Sequence, residues 1–199
     1  MRTSHSVSDL DLAIAGNREL SLEASSNWLA SLGLAHYMNE YGWLWPLCEV
    51  LHFGSMALLV GTIGAMDLRI LGLAKSIPIA ALERFVPLGI AAFAVNVATG
   101  FAFVAGNVGG PPLDYLSNLS FRLKMLLIVA AGFNVLAFYV FGLARGAAAT
   151  QPGEHAHPAA KVIAALSIVI WIGVICFGRL IMYNDVLLEA LGISGPIPQ

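Results

Sequence analysis

The chain has 199 residues, of which 58% are hydrophobic and 11% are charged, and its mean hydropathy is +0.80. Soluble domains carry roughly a quarter charged residues, so this composition excludes an ordinary water-soluble domain and indicates a membrane protein. The formal net charge of -2 comes without a basic run or zinc-finger spacing, and we therefore expect no nucleic-acid partner.

Residues 1–42 form a polar N-terminal segment. Within it, residues 23–38 alternate apolar and polar side chains near the helical period, which predicts an amphipathic helix on the membrane surface. Tyr41, Trp43 and Trp45 follow, and such an aromatic group is typical of the headgroup level where a span enters the bilayer.

Four apolar segments are long enough to cross a hydrocarbon core about 30 Å thick, which needs about 20 helical residues. They are residues 43–66, 85–106, 121–143 and 162–183. Backbone polar groups must be paired inside each segment, so four isolated spans are expected to be helices. The sequence therefore predicts an all-α integral membrane four-helix bundle over residues 43–185, followed by a C-terminal tail at 186–199.

Basic residues near the span ends predict the orientation. They lie between spans one and two at Arg69, Lys75 and Arg84, and between spans three and four at Arg145 and Lys161. Loops rich in Lys and Arg face the cytoplasm. The connection at residues 107–120 has neither, so we expect both termini on the periplasmic side of a bacterial inner membrane.

Ionisable side chains inside the spans are the candidates for function, because each costs about 2.5 to 3.5 kcal/mol on insertion scales. Glu49 and His52 lie three residues apart on one face of the first span. Lys124 and Arg179 lie at a matching depth in spans three and four, so pairing with Glu49 is expected to lower the burial cost. Asn96 sits somewhat deeper in span two. These five residues form the predicted cofactor-binding site.

His52 is the candidate metal ligand of this site, since imidazole binds haem iron or transfers protons. A b-type haem commonly takes two axial ligands, yet spans two to four contain no histidine. The second ligand is left open between His36, Met125, Met182 and the His52 of a second copy. A hydrogen-bonded histidine without any cofactor is the alternative interpretation.

The sequence resembles an uncharacterised family of small four-helix bacterial inner-membrane proteins over residues 43–183. The resemblance rests on motifs in all four spans. In and after span one these are Glu49 and His52 with the segment that continues to Gly61, and Asp67-Leu68-Arg69-x-Leu71-Gly72. In the later spans they are Thr99-Gly100, Phe121-x-x-Lys124, Trp171 and Gly178-Arg179. It implies the fold and the bacterial membrane but no activity. A looser similarity links the chain to cytochrome b561-type and copper-resistance D membrane domains, from which it departs because it lacks paired histidines on separate spans.

Two functions remain as hypotheses. The first is a membrane redox or electron-transfer module that binds one b-type haem or a quinone near the outer leaflet. The second is a non-catalytic accessory or scaffold subunit, in a homo-oligomer or a larger membrane complex. A transporter is less favoured because four spans lack an inverted repeat. No nucleotide-binding or hydrolase motif is present, so we do not expect an autonomous enzyme.

Overall fold

The computed structural model describes residues 4–107 and 109–193, and within these ranges the chain is helical without any β-strand. Four helical stretches are long and apolar enough to cross a membrane, at Leu44–Leu71, Ile79–Ala105, Leu119–Val140 and Pro158–Ala190. The prediction of an all-α four-helix membrane bundle is therefore confirmed, and the chain is a multi-pass membrane protein.

Short helices flank the long ones. In chain order the elements are α1 (Ser4–Ser31), α2 (Leu34–Glu40), α3 (Leu44–Leu71), α4 (Ile79–Glu83), α5 (Val86–Ala105), α6 (Pro112–Ser117), α7 (Leu119–Val140), α8 (Leu143–Ala148), α9 (Pro158–Leu180), a 3₁₀ turn (Ile181–Tyr183) and α10 (Asn184–Ala190). We call the end where α3 and α7 begin the upper end of the bundle. The lower end is where α3 and α7 finish.

The long helices are arranged in the spatial order α5, α3, α9, α7. Helix α3 packs along α5 and α9, and α9 packs along α7, whereas α5 and α7 make hardly any direct contact within the described ranges. A buried cluster of Leu59, Ala92, Ala131, Trp171 and Val174 joins the four helices at mid-height. The bundle consequently has a cleft between α5 and α7.

Helix α3 is longer than the sequence pattern predicted, because it continues five residues past position 66 to Leu71. Gly72 ends it with a φ of 110°, in the left-handed region that favours glycine, and Leu73 N–H donates to Leu68 O as in a Schellman C-cap. Asp67 and Arg69 come after position 66, where the predicted span ends, but both lie inside the helix and are buried.

The N-terminal segment contains two helices where the pattern predicted one over residues 23–38. The chain bends at Gly33, whose φ of 72° is left-handed and cannot continue an α-helix. Helix α1 packs on α6 and the upper end of α5, where Leu29 is buried against Val104 and Ala105. The segment therefore covers the upper end of the bundle between α5 and α7.

The connections at the lower end are held together by the side chain of Arg69, which is 1% exposed. Its Nε donates to Ile77 O in the α3–α4 connection, and its Nη2 donates to Gln151 O in the α8–α9 connection at 3.5 Å. Gly153 N–H also donates to Lys75 O at 2.9 Å. One arginine thus links two loops that are far apart in the sequence.

Candidate functional site

His52 lies in the interface between α3 and α5, eight residues and about 12 Å below the start of α3. Its side chain is 4% exposed, so it faces neither lipid nor water. The sequence predicted this depth, because a straight helix rises by a constant amount per residue. The helix against which the imidazole packs was not predictable in the same way.

The hydroxyl of Thr99 on α5 orients the imidazole, with His52 Nδ1 and Thr99 Oγ1 2.9 Å apart. Thr99 Oγ1 has one proton and three acceptors within reach: Val95 O at 2.8 Å, Asn96 O at 3.1 Å and His52 Nδ1. When Thr99 donates to a backbone carbonyl, it accepts from His52, the proton of the neutral ring is on Nδ1, and Nε2 keeps a lone pair. Nε2 has no hydrogen-bond partner in the part of the chain that the structure describes.

Asn96 on α5 binds the α3 backbone at His52. Its Nδ2 donates to His52 O at 2.9 Å and to Ser55 Oγ at 3.3 Å, while Ser55 Oγ donates to His52 O at 3.1 Å. Asn96 was predicted as a site residue and as an interhelical hydrogen bonder, and it lies beside His52. Ser55 was missed, although its position one turn after His52 on α3 was readable from the sequence.

Close packing surrounds the ring on its α5 side. The rings of His52 and Phe103 have centroids 5.0 Å apart, and Trp45 lies 4.7 Å beyond Phe103. A Cβ built on Gly100 would lie 3.4 Å from His52 Cε1. Gly100 thus provides the space in which the imidazole lies, a role that its sequence context did not reveal.

Two predicted cations lie on α7 and α9. Lys124 is close enough to His52 for an electrostatic interaction, and its Nζ would be 3.5 Å from a Cβ built on Gly178. Arg179 stacks over the ring of Tyr183, with its guanidinium carbon 5.5 Å from the ring centroid. Lys124 therefore lies along α9 inside the bundle, whereas Arg179 faces the upper end.

The expected pairing of Glu49 with a cation is not formed. Glu49 is half-buried, and it has neither an ion pair within 4 Å nor a side-chain hydrogen bond among the described residues. Within the same ranges, the ion pair present joins His36 to Glu40 at 3.0 Å. His52 and Asn96 are thus brought together, and Lys124 lies on α7 against α9. Glu49 stands one turn above His52 with no ion pair or side-chain hydrogen bond in the described part of the chain.

The proposed second ligands of His52 are mostly exposed. His36 has 73% of its side chain exposed, and Met125 and Met182 are exposed as well. No group of three or more His, Cys, Asp or Glu side chains that could hold a metal ion occurs among the residues described. A metal at His52 would therefore have to bring its own remaining ligands, as haem does.

A second polar position lies in the lower half of the bundle and was not predicted as a site. Asp67 is 8% exposed, and its Oδ2 has no partner among the described residues. Its side chain lines a cavity of about 370 Å³ that is bounded by all four long helices, and Ser167 on α9 lines the same cavity. Asp67 lies 15 residues from His52, or about 22 Å along α3.

No family model, curated protein or solved structure matches this chain.

Proposed function

We propose that this protein is a small redox or electron-transfer module of the bacterial inner membrane, in which His52 binds one b-type haem or interacts with a quinone. The observation that carries the proposal is the hydrogen bond between His52 and Thr99. When Thr99 donates to a backbone carbonyl, the proton of His52 is on Nδ1 and the Nε2 lone pair is available, which is the state of imidazole that coordinates iron.

The donor set fits haem better than a quinone. An axial ligand needs a neutral, oriented nitrogen, and Nε2 of His52 satisfies both conditions in a buried position. A quinone carbonyl would instead need a hydrogen-bond donor, so the proton of His52 would have to be on Nε2, with Nδ1 accepting from Thr99. Bound haem would supply one-electron transfer, with a potential that depends on burial and on the axial ligands.

The neighbouring residues have distinct roles in this proposal. Asn96 fixes the α3 backbone at His52, and Lys124 provides a positive charge inside the bundle that suits a propionate. Arg179 offers a second cation at the upper end, and Glu49 lies one turn above His52. With both termini periplasmic, as the loop charges predict, this site lies in the outer leaflet.

The main experiment is an optical spectrum of the detergent-purified protein, with and without dithionite. A Soret band that His52→Ala removes is expected, while His157→Ala, at the lower end of the bundle, should retain it. His36→Ala, Met125→Leu and Met182→Leu then identify the second axial ligand. If all three keep the spectrum, a ratio of one haem per two chains would point to a shared His52 pair.

A non-catalytic accessory or scaffold subunit is the second candidate. It is favoured by the internal satisfaction of the His52 network, because Thr99, Asn96 and Ser55 already pair with one another and with His52. Such a network joins α3 to α5 without any ligand. The absence of both a Soret band and a quinone-dependent change would overturn the redox proposal in favour of this one.

The orientation is tested separately with alkaline phosphatase fused to either terminus of the chain in a bacterial host. Activity from both fusions is expected, because the enzyme folds only on the periplasmic side. A fusion within residues 145–157 should be inactive. Activity from that fusion instead would place the His52 site in the inner leaflet.

A further inference from the structure

We propose that the lower cavity binds a small lipophilic amine, with the carboxylate of Asp67 as the partner of its protonated nitrogen. This site is separate from His52 and does not depend on any cofactor there. The inference rests on one unpaired buried carboxylate oxygen, a cavity of ligand size and the chemical character of its wall.

The size and position of the cavity suit a ligand that arrives through the membrane. Its volume of about 370 Å³ falls in the lower part of the range of small-molecule sites, which is about 300 to 1,000 Å³. Phe93 on α5 and Val135 on α7 line it from the two helices that hardly touch each other. The cleft between α5 and α7 therefore gives an apolar molecule a route from the lipid.

The charge of the wall selects the class of ligand. Among the described residues that line the cavity, Asp67 is the one acidic side chain, and none is Lys, Arg or His. Arg69 does not line it: its Nε and Nη2 donate to Ile77 O and Gln151 O, its Nη1 has no partner among the described residues, and it forms no ion pair within 4 Å with Asp67. A buried carboxylate without a cationic partner is costly, so a ligand that brings a positive charge offsets part of this cost.

The remaining polar groups also favour a hydrogen-bond donor. Asn134 donates its Nδ2 to Ile163 O at 3.2 Å, and Thr62 donates to Leu58 O at 2.7 Å. In the described structure each of these side chains leaves an acceptor oxygen free, and Asn134 also keeps one N–H. Phe138 and Trp171 add aromatic surfaces to the wall, and an ammonium group is attracted to an aromatic face.

The test uses 4-phenylbutylamine and its neutral counterpart 4-phenylbutanol, titrated into the full-length protein in phosphatidylcholine nanodiscs. We expect the amine to bind roughly tenfold more tightly than the alcohol, and Asp67→Asn to remove this preference. Glu83→Gln is the matched control, because it neutralises another carboxylate at the lower end of the bundle that is exposed and does not line the cavity. It should bind the amine like the parent protein.

Gly132→Leu tests the place of binding without touching the carboxylate. A Cβ on Gly132 meets no atom within 4 Å, so the larger side chain can extend into the cavity without disturbing the backbone. Loss of amine binding in a folded Gly132→Leu protein is expected. Unchanged binding in this variant, or equal affinity for amine and alcohol in the parent, would overturn the proposal.

The ammonium group has two natural sources, a free amine or the headgroup of a lipid. Replacing part of the phosphatidylcholine by phosphatidylethanolamine distinguishes them. Competition that depends on Asp67 identifies the lipid headgroup as the source, and the absence of competition identifies a free amine. Filling of the cavity by acyl chains alone would appear as binding insensitive to Asp67→Asn, which contradicts the proposal.

Discussion

His52 Nδ1 and Thr99 Oγ1 lie 2.9 Å apart across the interface of α3 and α5, and Thr99 Oγ1 lies 2.8 Å from Val95 O. The direction of the hydrogen bond between the two side chains sets the tautomer of His52. The Thr99 hydroxyl therefore contributes both to the packing of α3 on α5 and to the state of the His52 imidazole. Substitutions at this contact should change the stability of the protein and any cofactor binding by His52.

Thr99→Val should remove the acceptor for His52 while preserving the shape of the side chain. We expect a loss of about 0.6 kcal/mol in the free energy of unfolding, the average for hydrogen bonds between membrane helices, and at most about 1.7 kcal/mol. Thr62→Val is the control, because Thr62 donates only within its own helix, to Leu58 O. Unfolding in a denaturing detergent measures the free energy of unfolding of the two variants. Equal losses in Thr99→Val and Thr62→Val would argue against a special role of Thr99.

Gly100→Val should displace the imidazole, since a Cβ at this position already lies 3.4 Å from His52 Cε1. Overpacking of this kind costs about 1 to 3 kcal/mol. Gly61→Val introduces the same side chain on α3 at a position where a Cβ meets no atom within 4 Å. We expect a lower melting temperature for Gly100→Val alone, and any Soret band should weaken in that variant.

Arg69→Ala should destabilise the lower end of the bundle. It leaves Ile77 O and Gln151 O without their buried donor, and an unpaired buried group costs about 1 to 3 kcal/mol. Arg84→Ala is the matched control, because Arg84 is exposed. Limited proteolysis should cut the α8–α9 connection faster in Arg69→Ala. Equal cleavage rates in the two variants would contradict the linking role of Arg69.

His155 should titrate below the ordinary histidine value of 6.5. Lys75 lowers the pKa of His155 most and Lys161 next, with their Nζ atoms 3.0 and 3.3 Å from its two ring nitrogens. A lowered pKa means that the folded protein disfavours protonation of His155. The contacts of His155 with Lys75 and Lys161 are therefore retained above the lowered pKa and are lost as the pH falls through it.

NMR of the labelled imidazole measures this titration directly. Lys75→Gln is expected to raise the pKa of His155 toward 6.5, and by more than Lys161→Gln does. Lys75→Arg keeps the positive charge and should leave the pKa of His155 low. A value of 6.5 in the parent protein would show that the lysines do not approach His155 in solution.

The membrane spans could be read from the sequence because their cause is local. An apolar run long enough to cross the bilayer has to pair its backbone within itself, and this requirement alone selects a helix. The same reasoning placed His52 and Lys124 at one depth, since each residue of a helix adds the same rise. The end of α3 was misjudged because Asp67 and Arg69 looked like interfacial charges, whereas the helix buries both.

Which side chains meet was decided only by the tertiary structure. Depth does not determine the rotation of a helix about its axis, so the contact of His52 with Thr99 and the isolation of Glu49 were not readable from spacing. The cavity at Asp67 exists because α5 and α7 pack on α3 and α9 instead of on each other. Such gaps depend on the packing of four surfaces at once, which no single segment of the chain encodes.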